Sequence, residues 1–406
     1  MKRKIIDATQ FIYTNLFLQF SSLAKFFFNR LNRNSTENVV FLIAPTMPGS
    51  LGDEAMIVTS ITEFSKKFDM VYVICHGSDW SHSIGKYNLT CEFLDVRFLF
   101  QAPLGWPQLY RYIERYKPQQ ISVIGADVMD GFYSPSRSLS RLSILDLAST
   151  ISKRVELLGF SFNARPDQRC VNYIHKLSKT PIKFFARDRV SHERMLDRNI
   201  ENILTADIAF LLESKNCEQR ISEIKGPYIC LNICSVHVLM FGQIYINKIK
   251  NFYKSLIQNF QLHDIVLISH DTRKYADNYS DWSLLKEFYD ELEPVLQKRV
   301  HLMSDNLLAA EAKWLCSQAD FCIVGRKHMG VGALGGETPT MFFGYQGKQA
   351  GLLASFNIDP KLALIDAEKS VDDWMHQFGL FQENLSQIKD LISEALPSVK
   401  QLSMKN

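Results

Sequence analysis

Short apolar runs alternate along most of the chain with longer segments whose apolar residues recur at helical spacing. The runs at 39–44, 70–75, 95–100, 120–124, 155–162 and 183–186 predict buried strands, with a further strand near Ile203. Between them, Ile57, Ile61, Phe64 and Phe68 mark one helix face, and Tyr112 and Tyr116 another within 107–116. Residues 139–153 read as a further helix, and Ser191 is placed to cap one running through Leu196. A polar, charged stretch at 213–225 reads as a linker. Beyond it the alternation restarts, with strands at 228–233, 264–269, 300–303, 321–324 and 340–343. Helices are predicted there at 241–260, 282–296 and 307–317, and a charged amphipathic helix at 371–396 ends at Pro397. No fixed-period repeat is present. Two such runs predict an α/β fold of two Rossmann-like, doubly wound domains facing a cleft. The expected division is an N-terminal domain at 37–215 and a C-terminal domain at 226–406 that carries the terminal helix.

Residues 1–36 form a separate N-terminal segment, expected to be an amphipathic helix. Lys2, Arg3 and Lys4 precede a stretch at 11–28 rich in Phe, Leu and Tyr, interrupted by Asn15, Gln19 and Lys25. No apolar run there reaches bilayer-spanning length, and no small-residue cleavage site follows. Two readings stand: a helix packed on the domain, or a basic, aromatic helix making peripheral contact with an anionic membrane surface.

Composition narrows the function classes. A formal charge of +3 over 406 residues, without a basic stripe, argues against nucleic acid as a partner. The eight cysteines are scattered, several within apolar runs, and the close pair Cys230 and Cys234 has no second pair to complete a metal set. They read as reduced thiols of a cytoplasmic chain. No metal site is expected, and the sequence leaves the oligomeric state open.

The candidate chemistry concentrates at 320–351. Two predicted strand ends deliver Arg326, Lys327, His328 and Lys348 to one edge of a sheet, where cations suit a phosphate or carboxylate. After the first strand, a loop holding Gly49 and Gly52 leads into Asp53 and Glu54. Such a loop either presents backbone N–H groups to an anion or is a tight turn with Asp53 in the first helical turn. Asp127 and Asp130, with Tyr133 beyond, follow the strand at 120–124; they orient or deprotonate sugar hydroxyls, or form a solvated loop. Arg187 ends a strand and either binds an anion or pairs with Asp188 at the surface; spacing alone favours the pair.

Taken in order, PGSLGDEAM at 48–56, GADVMDGFYS at 125–134, LGFSF at 158–162, ARDRVS at 186–191, TADIAF at 205–210 and GRKHMG followed by GYQGKQAGLL make the chain resemble the polysaccharide pyruvyl transferases. The resemblance implies a GT-B-like pair of Rossmann-type domains. It also implies transfer of a pyruvyl group from phosphoenolpyruvate to sugar hydroxyls, giving a pyruvate ketal and phosphate, with no cofactor. By resemblance, Arg326 and His328 grip the donor, Arg187 lies near it, and Lys348, Gly49 and Gly52 join the donor site. His328 is the candidate acid, and Asp53, Asp127 or Asp130 the candidate base. Asp127, Asp130 and Tyr133 are assigned to a saccharide acceptor, free or lipid-linked. The first motif departs from the family's common form at Ser50, where an Asn often stands. A GT-B glycosyltransferase using a nucleotide sugar and a non-catalytic saccharide-binding protein are the alternatives.

Overall fold

The computed structural model describes residues 38–76, 80–101, 104–274, 279–344 and 347–406. The segment at 1–36, with its apolar stretch at 11–28, lies outside them. Among the described residues, no helix is long and apolar enough to cross a membrane. The chain divides into two compact units. One gathers residues 38–47, Ile57–Ala206 and Asn406, and the other Pro48–Met56 and Asp207–Lys405.

The first unit holds a seven-stranded sheet of β1 (Val39–Ile43), β2 (Met70–Cys75), β3 (Glu92–Asp95), β4 (Gln120–Ala126), β5 (Arg154–Phe160), β6 (Lys183–Ala186) and β7 (Ile203–Leu204). Their order is β3-β2-β1-β4-β5-β6-β7, and every pairing is parallel. All residues of β1 and β4 are buried. Two polar residues on β4 are accommodated because Gln120 Nε2 donates to Ser122 Oγ and to Glu156 Oε2, each at 2.7 Å.

The second unit repeats the plan with six parallel strands: β8 (Tyr228–Leu231), β9 (Asp264–Leu267), β10 (Val300–Leu302), β11 (Cys322–Val324), β12 (Thr340–Phe343) and β13 (Leu364–Ile365). Their order is β10-β9-β8-β11-β12-β13. Edge-to-face contacts of Phe343 with Trp374 at 5.4 Å, and of Phe252 with Phe343 at 5.9 Å and Phe378 at 6.2 Å, dock the helix Val371–Glu383. Each such pair adds about 0.5–1.5 kcal/mol beyond area burial. In each sheet the strand order reverses beside the first strand. Ligands of doubly wound sheets bind at that place, outside the carboxyl ends of β1 and β4 or of β8 and β11.

Several expectations need correction. The run at 95–100 is not a strand: β3 ends at Asp95, and the chain turns through Phe98, whose φ is 64°. Its apolar residues Val96 and Leu99 are buried in the turn, which imitates a strand in sequence. The predicted helix at 282–296 is two helices, Asp281–Asp290 and Pro294–Gln297, because a residue before proline is held extended, as Glu293 is at ψ 143°. Pro397 ends nothing. The tail is two helices, Val371–Glu383 and Leu385–Ser403, that break at Asn384, and Pro397 lies inside the second. The stretch 213–225 packs on the second unit: Lys215 N donates to Ala310 O, Cys217 is buried, and Arg220 pairs with Glu311 at 3.0 Å. The loop at 49–54 follows β1 in sequence yet is bonded to the second sheet. Ser50 bridges Asp271, Leu51 N donates to His270 O, and Thr272 N donates to Gly49 O.

Candidate functional site

The site in the second unit forms where β8 and β11 end. Arg326 is the N-cap of the helix Lys327–Gly335, and its backbone N–H donates to Asn232 Oδ1 at 3.2 Å. Asn232 is held in turn by donating from Nδ2 to Ile268 O at 2.9 Å. The Arg326 guanidinium grips Asp281 with two bonds, Nε to Oδ2 at 2.9 Å and Nη2 to Oδ1 at 2.7 Å. Nη2 also donates to Ser235 Oγ at 3.0 Å, and Nη1 lies 3.3 Å from Asp271 Oδ2. Burial works against this charge, but Asp281 and Asp271 keep the guanidinium well above the ordinary arginine value. Arg326 is therefore a fixed cation rather than a mobile one.

Arg273 extends the network. It forks onto Asp271 through Nε at 2.9 Å and Nη2 at 2.7 Å, and Nη1 reaches Asp53 Oδ2 at 3.1 Å. The segment carrying Asp53 is strapped onto the end of β9 by these bonds and by the backbone bridge at Ser50. The helix that follows is Leu51–Phe64, so Gly52 and Asp53 lie in its first turn. Ser50 Oγ accepts from Asp53 N at 3.2 Å, which gives Ser50 the capping role. Both glycines have physical reasons. Gly49 sits at φ +114°, and a Cβ there would lie 2.8 Å from Arg273 Cγ. A Cβ on Gly52 would come within 2.3 Å of His328 Nδ1, so the imidazole rests directly on the helix start.

His328 lies with Nε2 3.4 Å from Asp207 Oδ2, and Lys327 Nζ approaches the same oxygen at 3.9 Å. His270, buried nearby, is pushed down to about 3 by burial, then by the charges of His328 and Arg326, and is neutral at physiological pH. A cavity of about 20 Å³, room for one water, is lined by His270, His328, Lys313, Leu51 and Met329. Lys348 is buried at the start of the helix Lys348–Ala354, beyond the carboxyl end of β12.

The remaining predicted residues lie in the first unit. Asp127 follows Ala126, whose φ of 47° turns the chain sharply at the end of β4, and Tyr133 OH donates to Asp127 Oδ2 at 3.2 Å. Asp130 is fully buried, and its carboxylate accepts from Phe132 N, Asn163 N and Asn163 Nδ2 at 3.1, 2.6 and 2.8 Å. That geometry ties the loop after β4 to Asn163. Arg187 is 3% exposed, so the surface ion pair favoured by spacing does not describe it. Its Nε donates to Ser161 Oγ at 2.7 Å, and that hydroxyl donates to Asp188 Oδ2 at 3.1 Å. Asp188, not Ser191, caps the helix Arg189–Leu196, accepting from Ser191 N at 2.7 Å.

Sequence reasoning missed the acids that hold the cations. Asp271 and Arg273 were visible only as a polar strand end, Asp281 carried no signal beyond standing before Trp282, and Asp207 stood within TADIAF without a partner to assign.

The chain resembles known proteins at two levels. Among solved structures it is similar to a UDP-GlcNAc 2-epimerase from Neisseria meningitidis bound to UDP-GlcNAc, at 12% identity and TM-score 0.60, over 90% of this chain and 97% of that one. MnaA from S. aureus, in a co-structure with UDP, gives 10% identity and TM-score 0.61 over 91% and 94% of the two chains. A glycosyltransferase from Rickettsia africae gives 10% and 0.56 over 91% and 96%. At such identities the likeness establishes the fold, two parallel-sheet α/β domains of GT-B-like type. No curated protein matches the chain. The profile of the family described as polysaccharide pyruvyl transferase matches residues 39–347. The protein belongs to the polysaccharide pyruvyl transferase family.

Proposed function

We propose that the protein transfers a pyruvyl group from phosphoenolpyruvate to two hydroxyls of a polysaccharide or its saccharide precursor, forming a pyruvate ketal and releasing phosphate. Family membership supports the transferase class. The observation that carries the donor assignment is the pairing of Arg326 and His328 at the start of one helix, where the second sheet reverses its strand order. A helix N-terminus with an oriented guanidinium suits a small dianion. Because Asp281 and Asp271 already fix Arg326, the donor meets a preset cation, which limits the entropy lost on binding.

In this scheme His328 gives its proton to the methylene carbon of phosphoenolpyruvate, and the adjacent carbon becomes oxocarbenium-like. A sugar hydroxyl oxygen bonds to that carbon and yields its proton to a carboxylate. The bond to phosphate breaks with the electron pair leaving on phosphate, and the second hydroxyl closes the ketal with loss of its own proton. Asp130 is already bonded within its loop and Asp53 to Arg273, so of the three candidate carboxylates we assign the role of base to Asp127.

Purified protein given phosphoenolpyruvate and diol-bearing glycosides should release phosphate only when acceptor is present. His328→Asn and Arg326→Lys should each lower that rate by at least about 100-fold with unchanged circular dichroism. Absence of release with every diol acceptor tried would overturn the reading. A nucleotide-sugar glycosyltransferase is the second reading, favoured by neighbours whose structures hold UDP or UDP-GlcNAc. Thermal stabilisation by UDP-sugars and not by phosphoenolpyruvate would decide for it. Stabilisation by a saccharide without turnover of either donor would decide for a non-catalytic binder.

A further inference from the structure

Three thiols of the second unit lie together, and none of them is assigned to chemistry above. Cys230 on β8 stands opposite Cys322 on β11 in the parallel register. Cys316 comes from the last turn of the helix Ala309–Ser317. Their sulfurs all lie within 4.8 Å of one another, and the exposures of Cys230, Cys316 and Cys322 are 0%, 1% and 0%. At a zinc–sulfur distance of about 2.3 Å, three coplanar sulfurs sit about 4.0 Å apart, so side-chain adjustment alone brings this trio into ligating geometry. Buried cysteines often serve only as small apolar groups. Here the helix Ala309–Ser317, the strand β11 that follows it and the distant strand β8 bring their sulfurs to one point.

We propose that Cys230, Cys316 and Cys322 bind one thiophilic divalent cation of the zinc and cadmium class. Thiolate ligands select such soft cations over magnesium or calcium. All three sulfurs bind as thiolates, releasing three protons to solvent, because a thiol that coordinates such a cation gives up its proton. Cys316 also lines the cavity that His270 and His328 share, so a bound cation stiffens the helix bordering the candidate site. The proposal does not depend on which donor the protein uses.

The test is cadmium titration of the purified, chelator-treated full chain, read by sulfur-to-cadmium charge-transfer absorption and by bound metal after gel filtration. Because the trio is buried, protein produced in cadmium-supplemented medium is measured in parallel. One cadmium per chain is expected, with a raised Tm, and the band should disappear in Cys316→Ala and in Cys322→Ala. Either variant suffices if circular dichroism shows that the other fails to fold. A band retained in a folded variant would overturn the proposal, as would no bound cadmium in either preparation.

Discussion

At the scale of the residue, the candidate site is a matter of space and of paired charge. The His328 ring occupies the volume that any side chain at position 52 would need. Gly52→Ala should therefore displace the imidazole. Alanine is favoured over glycine in a helix, so the variant is expected to keep its Tm within a few degrees while the proposed turnover of phosphoenolpyruvate falls at least tenfold. Wild-type kcat and KM in that variant would dissociate His328 from the reaction. Asp281 is fully buried against Arg326. Removing one partner of a buried pair strands the other charge, so Asp281→Asn should lower unfolding free energy by about 3–5 kcal/mol in urea titrations. A loss well under 1 kcal/mol would mean that Asp271 alone carries the arginine.

At the scale of the element, the strap from Gly49 to Asp53 and the segment at 213–225 show how sequence order and spatial grouping part company. The strap follows β1 in the chain but is bonded to the end of β9 through Ser50, Leu51 and Asp53. The segment at 213–225 has the composition of a linker, yet it holds a buried Cys217 and the Arg220–Glu311 pair. Trypsin under native conditions should spare the bond after Arg220 until the second unit opens, as mass spectrometry of early fragments would show. Early cleavage there would mean that the segment detaches readily. The helices were legible in their apolar spacing, but their ends were not. Asp188 caps where Ser191 was expected, and Pro294 divides one predicted helix into two, because caps and breaks are decided by single side chains that periodicity averages away.

At the scale of the whole molecule, two buried imidazoles make stability depend on pH. Burial pushes His237 and His270 down to about 3 from the ordinary 6.5. Between those values the native chain keeps both neutral while the unfolded chain takes up protons, so stability is complete above pH 6.5 and declines as pH falls toward 3. His237, packed against Tyr245 at 5.4 Å, offers the test. Urea midpoints of His237→Leu between pH 6.5 and 5 should fall less steeply than those of the parent, and equal slopes would assign the acid sensitivity elsewhere. On the proposed function, phosphoenolpyruvate at about 100 times its Kd should add about 2.7 kcal/mol to the unfolding free energy, read as a raised Tm. The sequence by itself determined the class of the protein. Unbroken apolar strands such as β1 and β8, alternating with helices, admit little but parallel sheets, and the ordered short motifs point to one family. Only the tertiary structure decided which acids hold Arg326, why Gly52 must be bare, that Asp130 serves its own loop, and that three scattered cysteines meet. Those facts depend on contacts between residues tens to hundreds of positions apart, which local spacing does not encode, whereas burial of a strand is written into each of its side chains.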